Sequence, residues 1–180
     1  MTPANSVELL GFTIDQHLTF KDHIDKVVRK SHGILGVINR AKGMLPQHLL
    51  KLCYTSLVRP HLEFCSQVFA GASKTNLAKL DTVQKIASRI ICGAPRDAHS
   101  EPLLDLLSLQ SLTLRRQNKI IKSVNEIINN NCHPYLINKF DMGSDGLITN
   151  EVTNRTSFAK RRFSICAREI YNNNLLESTS

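Results

Sequence analysis

Apolar positions recur along the chain with two different periods. The run from Val7 to Asp15, "VELLGFTID", is short and β-prone and reads as one strand with Gly11 inside it. A lone strand cannot satisfy its own edges, so it pairs with a distal segment or its partners lie outside this sequence. After it the spacing becomes helical. Phe20, Ile24, Val27, Val28, Ile34, Leu35, Ile38, Ala41 and Leu45 form one stripe. Thr19 reads as the N-cap of that helix, with Asp22 as the capping-box acid. Gly33 and Gly36 weaken the helix and read as points of close packing, and Gly43 reads as its stop.

Pro46 suits the first turn of the next helix, whose stripe is Leu49, Leu50, Cys53, Tyr54, Leu57 and Val58. Pro60 predicts a kink or a division there, followed by a further helical stretch ending near Gly71. Leu77, Leu80, Val83, Ile86, Ala87, Ile90 and Ile91 mark a clean helix closed by Gly93 and Pro95. A short leucine-rich helix and a turn near Leu109 to Ser111 follow. Then comes a longer helix with Leu114, Ile120, Ile121, Val124, Ile127 and Ile128 as core candidates. The stretch 131–154 reads as polar loop, and 155–180 as a last helix and tail with Phe158, Phe163, Ile165, Cys166 and Ile170 as its apolar contacts. The expected fold is therefore mainly α: a strand within 1–17, a helical bundle over 18–130, and one further helix.

Composition narrows the chemistry. Cys53, Cys65, Cys92, Cys132 and Cys166 include no close pair, which favours free thiols in a reducing, intracellular setting, nuclear or cytoplasmic. No apolar run approaches membrane-spanning length, and no signal peptide opens the chain. Asp22 and Asp25 share a helix face at i, i+3, but the helix dipole explains first-turn acids more simply than a metal does. His61 and Cys65 are an i, i+4 pair without a second half-site, and no Gly-rich phosphate loop occurs. No metal or other cofactor is assigned to the chain. The basic residues carry more. From Lys21 to Lys122 there are 17 Lys and Arg against 7 Asp and Glu. Lys26, Arg29, Lys30, Arg40 and Lys42 follow the first helix, and Arg89, Arg115 and Arg116 sit at the ends of later ones. These suit phosphate contacts, with an ordinary solvated surface as the competing reading. With aromatics at only 6% and no Trp, base-stacking platforms are not evident.

Five motifs then stand in a recognisable order: "LLGFTIDQHLTFKDHI", "LCYTSLVRPHLEFCSQVF", "LAKLDTVQKIASRII", "LLSLQSLTLRRQ" and "RTSFAKRRF". Together they resemble the region after the catalytic core in reverse transcriptases of non-LTR retrotransposons of the jockey and CR1 type. The resemblance implies that Leu10, Gly11 and Asp15 belong to a palm edge and that His23 marks the strand-to-helix junction. It implies that the helices form a thumb and connector. Arg59, Pro60 and Glu63 match a structural "VRPHLEF" signature, and Arg115 and Arg116 match its paired arginines. Phe69 and Tyr171 stand where the family commonly carries Trp.

The family's thumb holds the template-primer duplex, so RNA or an RNA–DNA duplex is the implied partner. Lys26, Arg29, Lys30, Arg40, Lys42, Arg115 and Arg116 are the candidate contacts. The paired aspartates of the polymerase block do not occur here, so this chain alone is expected not to polymerise. Mg²⁺ is expected only for the full-length enzyme. Two alternatives stand beside this reading. One is a helical protein-interaction module whose exposed strand pairs with the missing palm and fingers or with itself. The other is a truncated gene product without a selected function.

Overall fold

The computed structural model describes residues 6–130, 140, 142–143, 146–149 and 162–179. Its first feature corrects the single strand. Ser6–Leu9 (β1) and Phe12–Asp15 (β2) form an antiparallel hairpin in the register Ser6 with Asp15, Val7 with Ile14, Glu8 with Thr13 and Leu9 with Phe12. The partner of the strand is thus its own second half. Leu10 and Gly11 make the two-residue turn with φ of 50° and 82°. Both φ values are positive, as the favoured hairpin turns require, and Asn-Gly is their usual signature. Leucine seldom adopts that conformation, which is why the turn was hidden in an apolar run.

The capping box is also corrected. The first helix, Lys21–Ala41 (α1), has Phe20 at its N-cap in the left-handed region, φ 55°, with no side-chain cap. Thr19 instead donates its hydroxyl to Asp15 Oδ2 at 3.0 Å. The Asp15 carboxylate also accepts the backbone N–H groups of His17, Thr19 and Phe20 at 3.1, 2.9 and 2.6 Å. A carboxylate accepts several donors at once, so one side chain two residues before the bend satisfies the whole junction. Burial pushes the Asp15 carboxyl up, but the Thr19, Phe20 and His17 hydrogen bonds outweigh it and hold the group below its usual range.

The second helical stretch runs on without a break. Gln47–Cys53 (α2) passes through a π turn at Tyr54–Val58 into Arg59–Glu63 (α3). Pro60 does not divide it. The π turn just before the proline widens the coil, with Arg59 N–H reaching back five residues to the Tyr54 carbonyl. The helix ends eight residues earlier than expected. Phe64 is extended, and a 3₁₀ turn at Val68–Gly71 replaces the predicted helical continuation. Lys74–Cys92 (α4) begins at Ser73, whose hydroxyl caps Asn76 N–H, and ends at Gly93 with φ 64°. Ser100–Leu106 (α5), Leu112–Asn130 (α6) and Phe163–Thr179 (α7) complete the described helices.

The main core joins α1, through Ile24, Leu35 and Ile38, to Leu80, Val83, Ala87 and Ile91 of α4. Tyr54 and Val58 of the π turn and Leu62 of α3 close it. Phe12, Phe20 and Phe69 surround buried His23, whose ring lies 4.1 Å from that of Phe12 and whose Nδ1 accepts Thr13 N–H at 3.4 Å. His23 is therefore a packed, hydrogen-bonded junction residue. A second cluster joins Ile120, Val124 and Ile127 of α6 to Phe140, Ile148 and Ala167. There Asn172 on α7 holds both backbone groups of Ile148, at 3.0 and 3.1 Å. Two core candidates face outward, Leu57 and Leu114, while Leu109 and Leu112 are buried. Phe158 lies outside the described residues.

Gly33 and Gly36 do not serve close packing. A Cβ built on Gly33 meets nothing within 4 Å, and on Gly36 it meets only the Arg40 side chain at 3.9 Å. Gly33→Ala should therefore stabilise the protein by about 0.5–1 kcal/mol. The thermal midpoint should rise by about 2 °C. An unchanged or lower midpoint by circular dichroism would contradict this.

Candidate nucleic-acid interface

The basic residues singled out in the sequence do not share one face. On α1, Lys26, Arg29 and Arg40 follow the i, i+3/i+4 spacing of one outer stripe, opposite Ile24, Leu35 and Ile38. Lys26 is drawn to Glu8 of the hairpin at 2.7 Å, and Asp25 holds Lys79 of α4 at 2.6 Å. The first pair is mostly exposed and contributes little stability. Lys30 turns toward α3. Burial first, and then the Lys30 charge, keep the His61 imidazole less basic than usual. Among the described residues, Arg29, Lys30, Arg40 and Lys42 are exposed and enter no ion pair.

Beside this stripe, the C-terminal halves of α1 and α4 enclose a groove of about 690 Å³. Lys42, Arg89 and Arg96 line it, with His32 and Asn39 at the rim and Leu35, Ile86 and Ile90 among its apolar lining residues. Among the described residues no carboxylate lines it. Arg89 is fixed in place: its Nε donates to the Ala98 carbonyl at 2.9 Å, which leaves the terminal nitrogens of the fork for another acceptor. The ends of α1 and α4 add negative dipole ends here, together about −1 charge. Three cations exceed that, so the groove remains electropositive. Arg96 was missed as a candidate because it sits in the connection after Gly93, where the sequence signals only a helix stop.

The paired arginines behave differently. The chain brings the "VRPHLEF" and "LRRQ" blocks together at α3 and α6. Glu63 accepts a two-pronged contact from Arg115, through Nε and, at 3.1 Å, through Nη2; Lys119 adds a third bond at 2.8 Å. Burial pushes the Glu63 carboxyl up, but the Arg115 and Lys119 hydrogen bonds prevail and hold it below its usual range. Arg116 is only 6% exposed and lies 3.5 Å from Asp81 of α4. Burial makes its guanidinium less basic than usual, against the opposing pull of Asp81. Arg116 is thus committed to packing α6 on α4 and is not presented to a phosphate. Arg115 keeps only part of its donor capacity. Of the structural motif residues, Gly11 makes the hairpin turn, Asp15 and Thr19 build the junction, and Glu63 clasps α6.

Among the described residues no group of three His, Cys, Asp or Glu side chains clusters as a metal site would require, and no helix is long and apolar enough to cross a membrane. Comparison with protein-family models, curated protein sequences and solved structures finds no match.

Glu63→Gln keeps the shape of the α3–α6 clasp and removes its charge. It should cost about 1–3 kcal/mol at neutral pH. The wild-type carboxyl has a lowered folded-state pKa, so its contribution is complete above the ordinary value of 4.5 and is lost as pH falls through the lower folded one. The gap between variant and wild type, followed by urea unfolding, should narrow as the pH falls below 4.5 and close once the carboxyl is protonated in the folded state. A gap that stays constant into acid would show that the charge does not matter.

Proposed function

We propose that the chain is a helical binding module that makes no covalent change to its ligand and holds a nucleic-acid duplex by its phosphate backbone. One observation carries this reading: among the described residues, the α1–α4 groove presents Lys42, Arg89 and Arg96 without a carboxylate, beside Arg29 and Arg40 that enter no ion pair. The ordered motifs that resemble the thumb of a non-LTR reverse transcriptase favour a template-primer duplex as the ligand. Contacts of this type are largely blind to sequence and strongly dependent on salt.

The test is binding to a labelled RNA–DNA duplex across a salt series. With up to five cations engaged, log K should fall against log salt with a slope of about −4. The double variant Lys42→Gln/Arg96→Gln should flatten that slope by about 2 and weaken binding to all sequences alike. A flat slope, or no binding at low salt, would remove the duplex reading.

A second reading, a protein-interaction module, draws on the hairpin. Val7 and Leu9 are 59% and 60% exposed, and Leu10 is 89% exposed in a backbone conformation that costs leucine about 1 kcal/mol. Among the described residues β1 has β2 on one side and an open edge on the other, and such edges accept another strand. Leu10→Asn fits the turn better and removes apolar surface from its tip. Under this reading it raises the thermal midpoint while weakening concentration-dependent association in sedimentation velocity. Wild-type protein that stays monomeric at high concentration would exclude pairing between copies.

A further inference from the structure

The α3–α6 clasp borders a second cleft, of about 430 Å³, inside the size range of small-molecule sites. Arg59, Arg115 and Lys119 enter it around Glu63, with Phe64 at its rim. Three cations against one carboxylate leave a local surplus of two charges. The Glu63 oxygens are already occupied by Arg115 and Lys119. The donors left over are the remaining N–H groups of those two side chains and the whole guanidinium of Arg59, which forms no ion pair or hydrogen bond among the described residues. Glu63 thus acts as a template that holds two cationic arms at fixed positions while the third stays available. This arrangement suits a tetrahedral oxyanion carrying two charges, since one arginine fork would satisfy a planar carboxylate.

The neighbouring aromatic narrows the ligand further. The helix stops at Glu63, Phe64 leaves it in an extended conformation, and Cys65 turns back with φ 52°. That left-handed turn costs a cysteine backbone strain, and Phe64 before it is 47% exposed and among the residues that line the cleft. An exposed phenyl ring beside a cationic cleft is the pairing that single nucleotides use: charge for the phosphate, a flat apolar face for the base.

We propose that this cleft is a nucleotide seat. Arg59, Arg115 and Lys119 take the phosphomonoester, and Phe64 stacks on the base. The proposal is independent of duplex binding at the α1–α4 groove, and variants can separate the two. The probes are adenosine 5′-monophosphate, adenosine and inorganic phosphate, titrated into the full chain by calorimetry and by NMR. The monophosphate should bind about tenfold more tightly than inorganic phosphate, from stacking. Phe64→Ala should reduce the monophosphate to the level of phosphate. Arg59→Gln, which leaves the Glu63 clasp intact, should weaken both. Arg96→Gln, in the other groove, should change neither. Both seat variants alter partly exposed side chains, and thermal melts confirm that they are folded. The proposal fails if adenosine binds as well as its monophosphate. It also fails if Phe64→Ala leaves the preference over phosphate intact, if Arg96→Gln rather than Arg59→Gln abolishes binding, or if the monophosphate does not bind.

Discussion

The carboxylate of Asp15 is the constraint on which the front of the molecule depends. Between the hairpin and α1 the chain must reverse within five residues, and it does so by placing Leu18 and Phe20 in the left-handed region. Neither residue favours that conformation. The donors freed by the bend converge on one side chain, so the backbone N–H groups of His17, Thr19 and Phe20 are all paired. The bend brings Phe12 and Phe20 within 5.8 Å of one another and encloses His23 between the hairpin and Phe69. Burial, and then the nearby Lys26 charge, make this imidazole less basic than usual. The hairpin is therefore part of the helical core, not an appendage to it.

Charge is used in two opposite ways. At the α3–α6 clasp and at Arg116 with Asp81, acids and bases pair across helices and hold them together. Among the described residues, Arg29, Lys30 and Arg40 of α1 and the cations of the α1–α4 groove enter no ion pair, although Lys26 meets Glu8. A count of basic residues cannot tell these uses apart, because each depends on whether another helix delivers an acid. Arg115 and Arg116 look as available as Arg29 and Arg40 in the sequence. Only the packing of α6 on α3 and α4 supplies Glu63 and Asp81.

The helices were legible because their apolar spacing and their stops are local signals, as in Lys74–Cys92 between Ser73 and Gly93. The hairpin was illegible because Leu10 occupies a position where Asn or Gly is the usual marker. The capping reading failed for a related reason: Thr19 and Asp22 have the right spacing, but Asp15, four residues earlier, binds Thr19 first. The interface was legible only in part. Its α1 residues follow from the stripe opposite the core, whereas Arg96 comes from a connection and Phe64 from a helix end set by Cys65. Neither has a periodic signature.

The π turn shows how a small departure from regular geometry builds a site. Leu50, Tyr54, Val58 and Leu62 are all buried, and they are spaced by four. In an unbroken α-helix each step of four residues overshoots a full turn by about 40°, so Leu50 and Leu62 would diverge by about 120°. The wider π coil at Tyr54–Val58 takes up part of that drift and keeps all four on one buried face. It does so immediately before Pro60, whose missing N–H and bulky ring a regular helix would accommodate poorly. Arg59 and Glu63, one turn apart on α3, are thereby carried to the side facing α6, where Glu63 meets Arg115 and Lys119. Strict spacing by four across a proline was therefore the sequence signal for the π turn. The clasp and the cleft beside it follow from the same displacement.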